Sequence, residues 1–143
     1  MNQGAKDDYM SGVEEVDVEH VVLLDLTDQV RALLDDENML FKCADIRALL
    51  NRLRDYTEMH FTHEEKLMAE MGYDGLEMQK QQHRLFVQRL DEFVEQISQL
   101  SLGTQDAMIQ EVFEYLQKWL HDHIKIEDMK YARFAMEKTK GNY

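Results

Sequence analysis

Between Ile46 and Met71 the residues that shun water recur in steps of three and four. Ile46, Leu49, Leu50, Leu53, Tyr56, Thr57, His60, Phe61, Glu64, Leu67, Met68 and Met71 fall on one stripe, the signature of one face of a long α-helix. Such a face packs against a core, yet this one carries His60 and Glu64 one turn apart. A lone buried carboxylate costs roughly several kcal/mol unless it is paired or bound to a metal. An imidazole and a carboxylate at i and i+4 on an inward face make half of a metal site. The competing readings are a buried His–Glu hydrogen bond and a partly wet helix face. Other helices must supply further ligands for the metal reading to stand.

The chain has 143 residues, enough for one domain with a real core. It has no proline and only six glycines, which with abundant Leu, Met, Glu, Gln and Lys argues for all-α structure. A formal net charge of −13 disfavours nucleic acid and anionic membrane surfaces as partners. Cys43 is the only cysteine, so neither an intramolecular disulfide nor a thiolate cluster for zinc or iron–sulfur is expected. No apolar run approaches transmembrane length, and the polar Met1–Asp8 stretch lacks the features of a secretory leader. The expected location is cytoplasmic.

Residues 1–16 read as an N-terminal arm, 17–138 as a bundle and 139–143 as a C-terminal tail. Helices are expected near 18–36, 44–71, 76–100 and 104–138, with Asp17 and Thr104 as N-caps. Asp35–Asn38, Gly72–Gly75 and Ser101–Gly103 are the breaks. His20 lies in the first turn of the first helix, on the side of Leu23, Leu24, Thr27, Val30 and Leu34. In the third, Gln79 and His83 begin an apolar stripe that runs on through Phe86, Leu90 and Phe93 to Leu100. The fourth presents Met108, Val112, Tyr115, Leu116, Trp119, Leu120 and His123. Beyond His123 the phase is ambiguous: a regular helix presents Glu127 next, whereas a π-bulge brings Asp128 inward.

Four amphipathic helices with short turns give an antiparallel up-down-up-down bundle. In that packing the start of the first helix, the end of the second, the start of the third and the end of the fourth meet at one end. Each brings an inward histidine, carboxylate or amide there, so a metal site is expected between the helices at that end. The set is His20, His60, Glu64, His83, His123 and Asp128, with Gln79 beside it. Four imidazoles and two carboxylates exceed one tetrahedral zinc. They suit two octahedral first-row ions, with iron the best match by ligand type. Ferritin-like di-iron bundles expect two Glu-x-x-His motifs, and this chain has none.

The same residues sit in four ordered segments: Asp17-Val18-Glu19-His20; His60-Phe61-Thr62-His63-Glu64-Glu65; Gly72-Tyr73 followed by His83; and Trp119-Leu120-His121-Asp122-His123-Ile124 through Asp128. Together they resemble the hemerythrin family, bacteriohemerythrins in particular, with their hemerythrin-like HHE cation-binding domain. The family's segments read Asp-x-Gln-His, His-Phe-x-x-Glu-Glu and Trp-Leu-x-x-His-Ile-x-x-x-Asp. The resemblance implies a non-heme di-iron cofactor: His20 and His60 on one iron, His83 and His123 on the other, Glu64 and Asp128 bridging with an oxo or hydroxo group. It favours Asp128 over Glu127 as the inward carboxylate. Family members take O2 at one iron to the peroxide level. Trp119 and Leu120, one turn before His123, would then wall the O2 position against water.

One position departs from the family pattern. His-x-x-x-His is usual in the third helix, and here Gln79-Lys80-Gln81-Gln82-His83 stands instead. An amide oxygen is a weaker donor than imidazole for iron(II), so the iron near Gln79 is expected to hold a weak or exchangeable ligand. The leading functional expectation is reversible O2 binding for transport, storage or sensing, a binding protein more than an enzyme. The alternatives are a di-iron enzyme or scavenger that turns over O2, peroxide or NO, and iron storage or a structural metal site. His121 is expected to face solvent and His63 to lie on solvated helix surface. Glu65, Glu58 and Glu19 read as surface charges, with Glu19 or Glu58 able to reach a ligand histidine's free N–H. The ten methionines read as adaptable core filling.

Overall fold

In the computed structural model, residues 14–37, 41–99 and 101–140 are described. Residues 1–13 of the expected arm, Asn38, Leu100 and the tail beyond Lys140 lie outside them. Among the described residues there are five α-helices and one π segment, and no strand. They are α1 (Glu14–Asp35), α2 (Cys43–Met71), α3 (Leu76–Ile97), α4 (Gln105–Asp122), the π segment His123–Asp128 and α5 (Met129–Lys140). The last three form one continuous rod. Helix α1 packs on α2 and α4, α2 on α3, and α3 on α4, which closes the up-down-up-down bundle expected from the stripes. No described helix is long and apolar enough to cross a membrane.

Two boundaries differ from the sequence reading: α1 starts at Glu14 instead of near 18, and α3 ends at Ile97 instead of near 100. Helix α1 begins at Glu14, so Asp17 lies within its first turn rather than capping it. An acidic side chain there still offsets the partial positive charge of the N-terminus, so the extra turn costs little. Thr104 does stand at the N-cap of α4, but its hydroxyl makes no capping bond to the helix and pairs with Ser101 instead. The α2–α3 turn is fixed by two glycines. Gly72 takes the left-handed conformation (φ 71°) that ends α2, with Tyr73 N–H donating back to Met68 O at 3.0 Å. A Cβ on Gly75 would sit 2.6 Å from the Tyr73 ring.

The interior has three layers along the bundle axis. A large apolar cluster fills most of it, including Leu23, Leu50, Phe61, Phe86, Leu90, Leu116 and Ile124. A smaller cluster of Met68, Tyr73 and Tyr131 plugs the α2–α3 turn end. On α2, α3 and the π segment the buried polar residues fall between members of the two: Glu64 between Phe61 and Met68, Gln79 and His83 between Leu76 and Phe86, Asp128 between Ile124 and Tyr131. Each fully buried Leu or Phe contributes roughly 1.5–3 kcal/mol relative to exposure. That apolar surplus lets the fold hold a polar layer that is unfavourable by itself. At the opposite end Lys42, only 3% exposed, donates from Nζ to Leu34 O (3.1 Å) and Asp106 Oδ1 (3.0 Å) and ties α1 to α4.

Candidate metal centre

The four histidines expected at one end are all found there. His20, His60, His83 and His123 are each at most 3% exposed, and Glu64, Gln79 and Asp128 are fully buried. The π segment explains Asp128. One residue more per turn delays the phase, so a residue five after His123 lands on the same inward face. The side chain of Glu127 lies outside the described residues.

The two carboxylates each reach both pairs of imidazoles. Glu64 Oε2 lies 3.4 Å from His60 Nε2 and 3.9 Å from His20 Nε2. Its Oε1 lies 3.3 Å from His83 Nε2 and 3.4 Å from His123 Nε2. Asp128 Oδ2 lies 2.8 Å from His20 Nε2, and its Oδ1 3.2 Å from His123 Nε2. The ligand atoms fall into two compact groups, His20–His60–Glu64–Asp128 and Glu64–His83–His123, with Glu64 common to both.

The outward ring nitrogens of three of the four histidines are already committed, while His20 Nδ1 has no partner among the described residues. His60 Nδ1 meets Glu19 Oε1 at 2.8 Å, His83 Nδ1 meets Glu65 Oε2 at 2.7 Å, and His123 Nδ1 is 3.4 Å from Gln82 Oε1. An imidazole that donates from Nδ1 to an acceptor turns the lone pair of its Nε2 inward. The interior thus gathers nitrogen lone pairs and carboxylate oxygens, all acceptors. His83 Nε2 and His123 Nε2 stand 3.2 Å apart. His20 Nε2 and both Asp128 oxygens have no aligned hydrogen bond despite their short separation. Acceptors crowded in this way repel unless cations sit among them. Protons or metal ions can serve, and the donor set fits two first-row ions.

In the metal-free protein, protons take that role. Burial opposes charge on His20, but the adjoining Asp128 and Glu64 carboxylates outweigh it and raise its pKa to about 9. Burial likewise opposes charge on His123, and Asp128 and then Glu64 overcome it, raising its pKa to about 10. Burial favours the neutral form of Glu64, yet hydrogen bonds from His123, His20 and His83 hold it well below the usual carboxylate range. Burial raises Glu19 too, and its bonds to His60 and His63 outweigh that and lower it.

Aromatic rings close the His83–His123 side. Phe61 stacks on His83 with centroids 3.8 Å apart, Trp119 stacks on His123 at 4.4 Å, and Phe86 packs on Trp119 at 4.1 Å. Leu120 is 1% exposed and belongs to the main core, while Trp119 is half-buried. A surface cleft of about 520 Å³ includes Phe61, Glu65 and His83 in its lining. A second, of about 280 Å³, is lined by Gln82, Trp119, Asp122, His123 and Ile126.

Several side chains behave differently from their reading in the sequence. Glu65, read as a surface charge, is half-buried and accepts from His83, while Glu19 is buried and accepts from His60, the reach the sequence offered for it as an alternative. His63 is half-buried and also bonded to Glu19, at 2.9 Å, because Glu19 lies between it and His60. Gln82, which the sequence reading passed over, faces His123. His121 is exposed, as expected, and Glu58 pairs with Arg54 at the surface.

Comparison with known proteins agrees with this geometry. The family model described as Hemerythrin HHE cation binding domain matches residues 11–135. A bacteriohemerythrin of Clostridium acetobutylicum is 30% identical over 126 residues, covering 88% of this chain and 95% of its own. A bacteriohemerythrin of Stenotrophomonas maltophilia is 25% identical over 146 residues, covering 96% and 90%. Myohemerythrin-1 of Phascolopsis gouldii is 32% identical over 106 residues, covering 68% and 80%.

Proposed function

The chain belongs to the hemerythrin family, and on that premise we propose that it is a non-heme di-iron protein that binds O2. His20 and His60 would hold one iron and His83 and His123 the other, with Glu64 and Asp128 shared between them. The observation that carries this reading is that each carboxylate presents one oxygen to each imidazole pair. A single-ion or purely structural site has no use for such a divided pair.

Iron, when bound, supplies the electrons and the coordination position that O2 needs. The residues of the chain do the rest. Glu19 and Glu65 fix the rings of His60 and His83 so that Nε2 faces the interior. Phe61, Phe86, Trp119 and Leu120 keep bulk water from the polar layer, and the Met68–Tyr73–Tyr131 cluster seals its other side. Excluding water slows proton delivery into the polar layer.

The test is to load the protein with iron, reduce it without air, admit O2, then remove it while recording optical spectra. A charge-transfer spectrum that appears and disappears over repeated cycles is the expected result. One-way oxidation in the first cycle overturns reversible binding. It favours instead an enzyme or scavenger that turns over O2, peroxide or NO, a reading for which the amide at Gln79 already speaks.

A further inference from the structure

Gln79 is the one member of the polar layer with no evident task. It lies one turn before His83 on the same buried face of α3, is fully buried, and neither its Oε1 nor its Nε2 has a partner among the described residues. A buried primary amide with nothing to accept its N–H is rare in a folded protein and points to a missing partner.

Counting donors shows where that partner belongs. On the di-iron reading, from which this inference starts, each ion receives two imidazole nitrogens and one oxygen each from Glu64 and Asp128. A first-row ion of this kind takes about six donors. A solvent-derived bridge adds a fifth to both. Each ion therefore keeps one position that no histidine or carboxylate of the polar layer fills. On the His83–His123 side, Gln79 is the neighbouring polar group. If its Oε1 filled the position, its Nε2–H groups would stay buried without an acceptor. An acceptor brought in from outside satisfies them instead. The way in is short, because His83 and His123 each line a surface cleft.

We propose that the His83–His123 ion binds a second small exogenous ligand, an anion or a polar diatomic, which accepts a hydrogen bond from the Gln79 amide. The centre then has two exchangeable positions, one on each ion, rather than one. Gln79 is a specificity-determining residue: its N–H favours ligands with a lone pair directed at it over apolar ones of the same size.

Azide is the probe. The protein loaded with two iron(III) ions per chain is titrated and followed by azide-to-iron absorption and by calorimetry. Neither readout depends on O2 chemistry. Wild type is expected to bind two azides per chain. Gln79→His places an imidazole in the position and is expected to bind one. Gln79→Ala leaves the position but removes the donor, and its second azide is expected to bind about tenfold more weakly, the size of one net hydrogen bond. Iron content measured on each variant identifies any that has lost the centre. A single azide per di-iron wild-type chain overturns the inference and leaves the di-iron reading intact, as do two azides on di-iron Gln79→His. A wild-type chain that never loads two irons overturns the di-iron reading and this inference with it.

Discussion

Glu64→Ala probes both the metal-loaded and the metal-free protein. Loaded, Glu64 gives one oxygen to each imidazole pair, at 3.4–3.9 Å on one side and 3.3–3.4 Å on the other. Its removal takes a donor from both ions at once, so iron content is expected to fall to almost nothing rather than to half. Without metal, Glu64 balances the charge on His20 and His123. Breaking a buried ion pair costs roughly 3–5 kcal/mol, and the lower end, about 3 kcal/mol, applies because Asp128 still reaches both rings. At a few degrees per kcal/mol for a chain of this size, the melting temperature falls by about 10 °C. The loss depends on pH. A histidine whose folded pKa is raised contributes stability in full below its unfolded value near 6.5, and loses it as pH rises through the folded value. Those values are about 9 for His20 and about 10 for His123, and Glu64, itself depressed, stays ionised throughout. The destabilisation is therefore expected in full near pH 6 and much reduced above pH 10. Urea unfolding of chelator-treated wild type and variant at both pH values, with iron analysis of the loaded forms, checks it. Full iron retention, or a destabilisation of equal size at both ends, refutes the reasoning.

Glu19→Ala is expected to weaken iron retention about 10- to 100-fold by freeing the His60 ring, whereas His63→Ala, which leaves the Glu19–His60 contact in place, changes it far less; competition with a chelator measures both. Loading metal near neutral pH is expected to release at least two protons per chain, one each from His20 and His123, with those beyond two coming from the bridging solvent, read by calorimetry in buffers of different ionisation enthalpy. Lys42→Met, at the far end of the bundle, is expected to cost about 1–3 kcal/mol of stability in thermal unfolding while iron content stays at the wild-type level.

The bundle and six of the polar positions were legible because a helix repeats. His60 and Glu64 at i and i+4 on an otherwise apolar stripe declare an inward polar pair, and antiparallel order brings the inward polar residues of the other three helices to the same end. From the helical repeat alone Asp128 was one of two phases, and only the resemblance to the hemerythrin family favoured it over Glu127. Five residues after His123 is out of step for an α-helix, and the π segment that corrects it has no sequence mark apart from the mismatch. Glu65 was misread for a related reason, and Glu19 was legible only as one of two readings. A helical wheel gives the direction of Cβ, not the reach of a glutamate that bends back to a neighbouring helix, so Glu65 looked solvated while meeting the His83 ring. The early start of α1 at Glu14 was not legible because an aspartate suits the first turn of a helix as well as its cap. At Gln79 the sequence showed the substitution and its inward face, but only the structure shows an amide buried with neither end partnered.

The central claim is that two ions share Glu64 and Asp128. The most direct measurement is Mössbauer spectroscopy of the protein reconstituted with iron-57 and oxidised, with metal quantified on the same sample. Ions bridged by common carboxylates couple magnetically. The expected result is two high-spin iron(III) ions per chain in a coupled, diamagnetic ground state. One iron per chain, or two that behave as isolated paramagnetic ions, contradicts it.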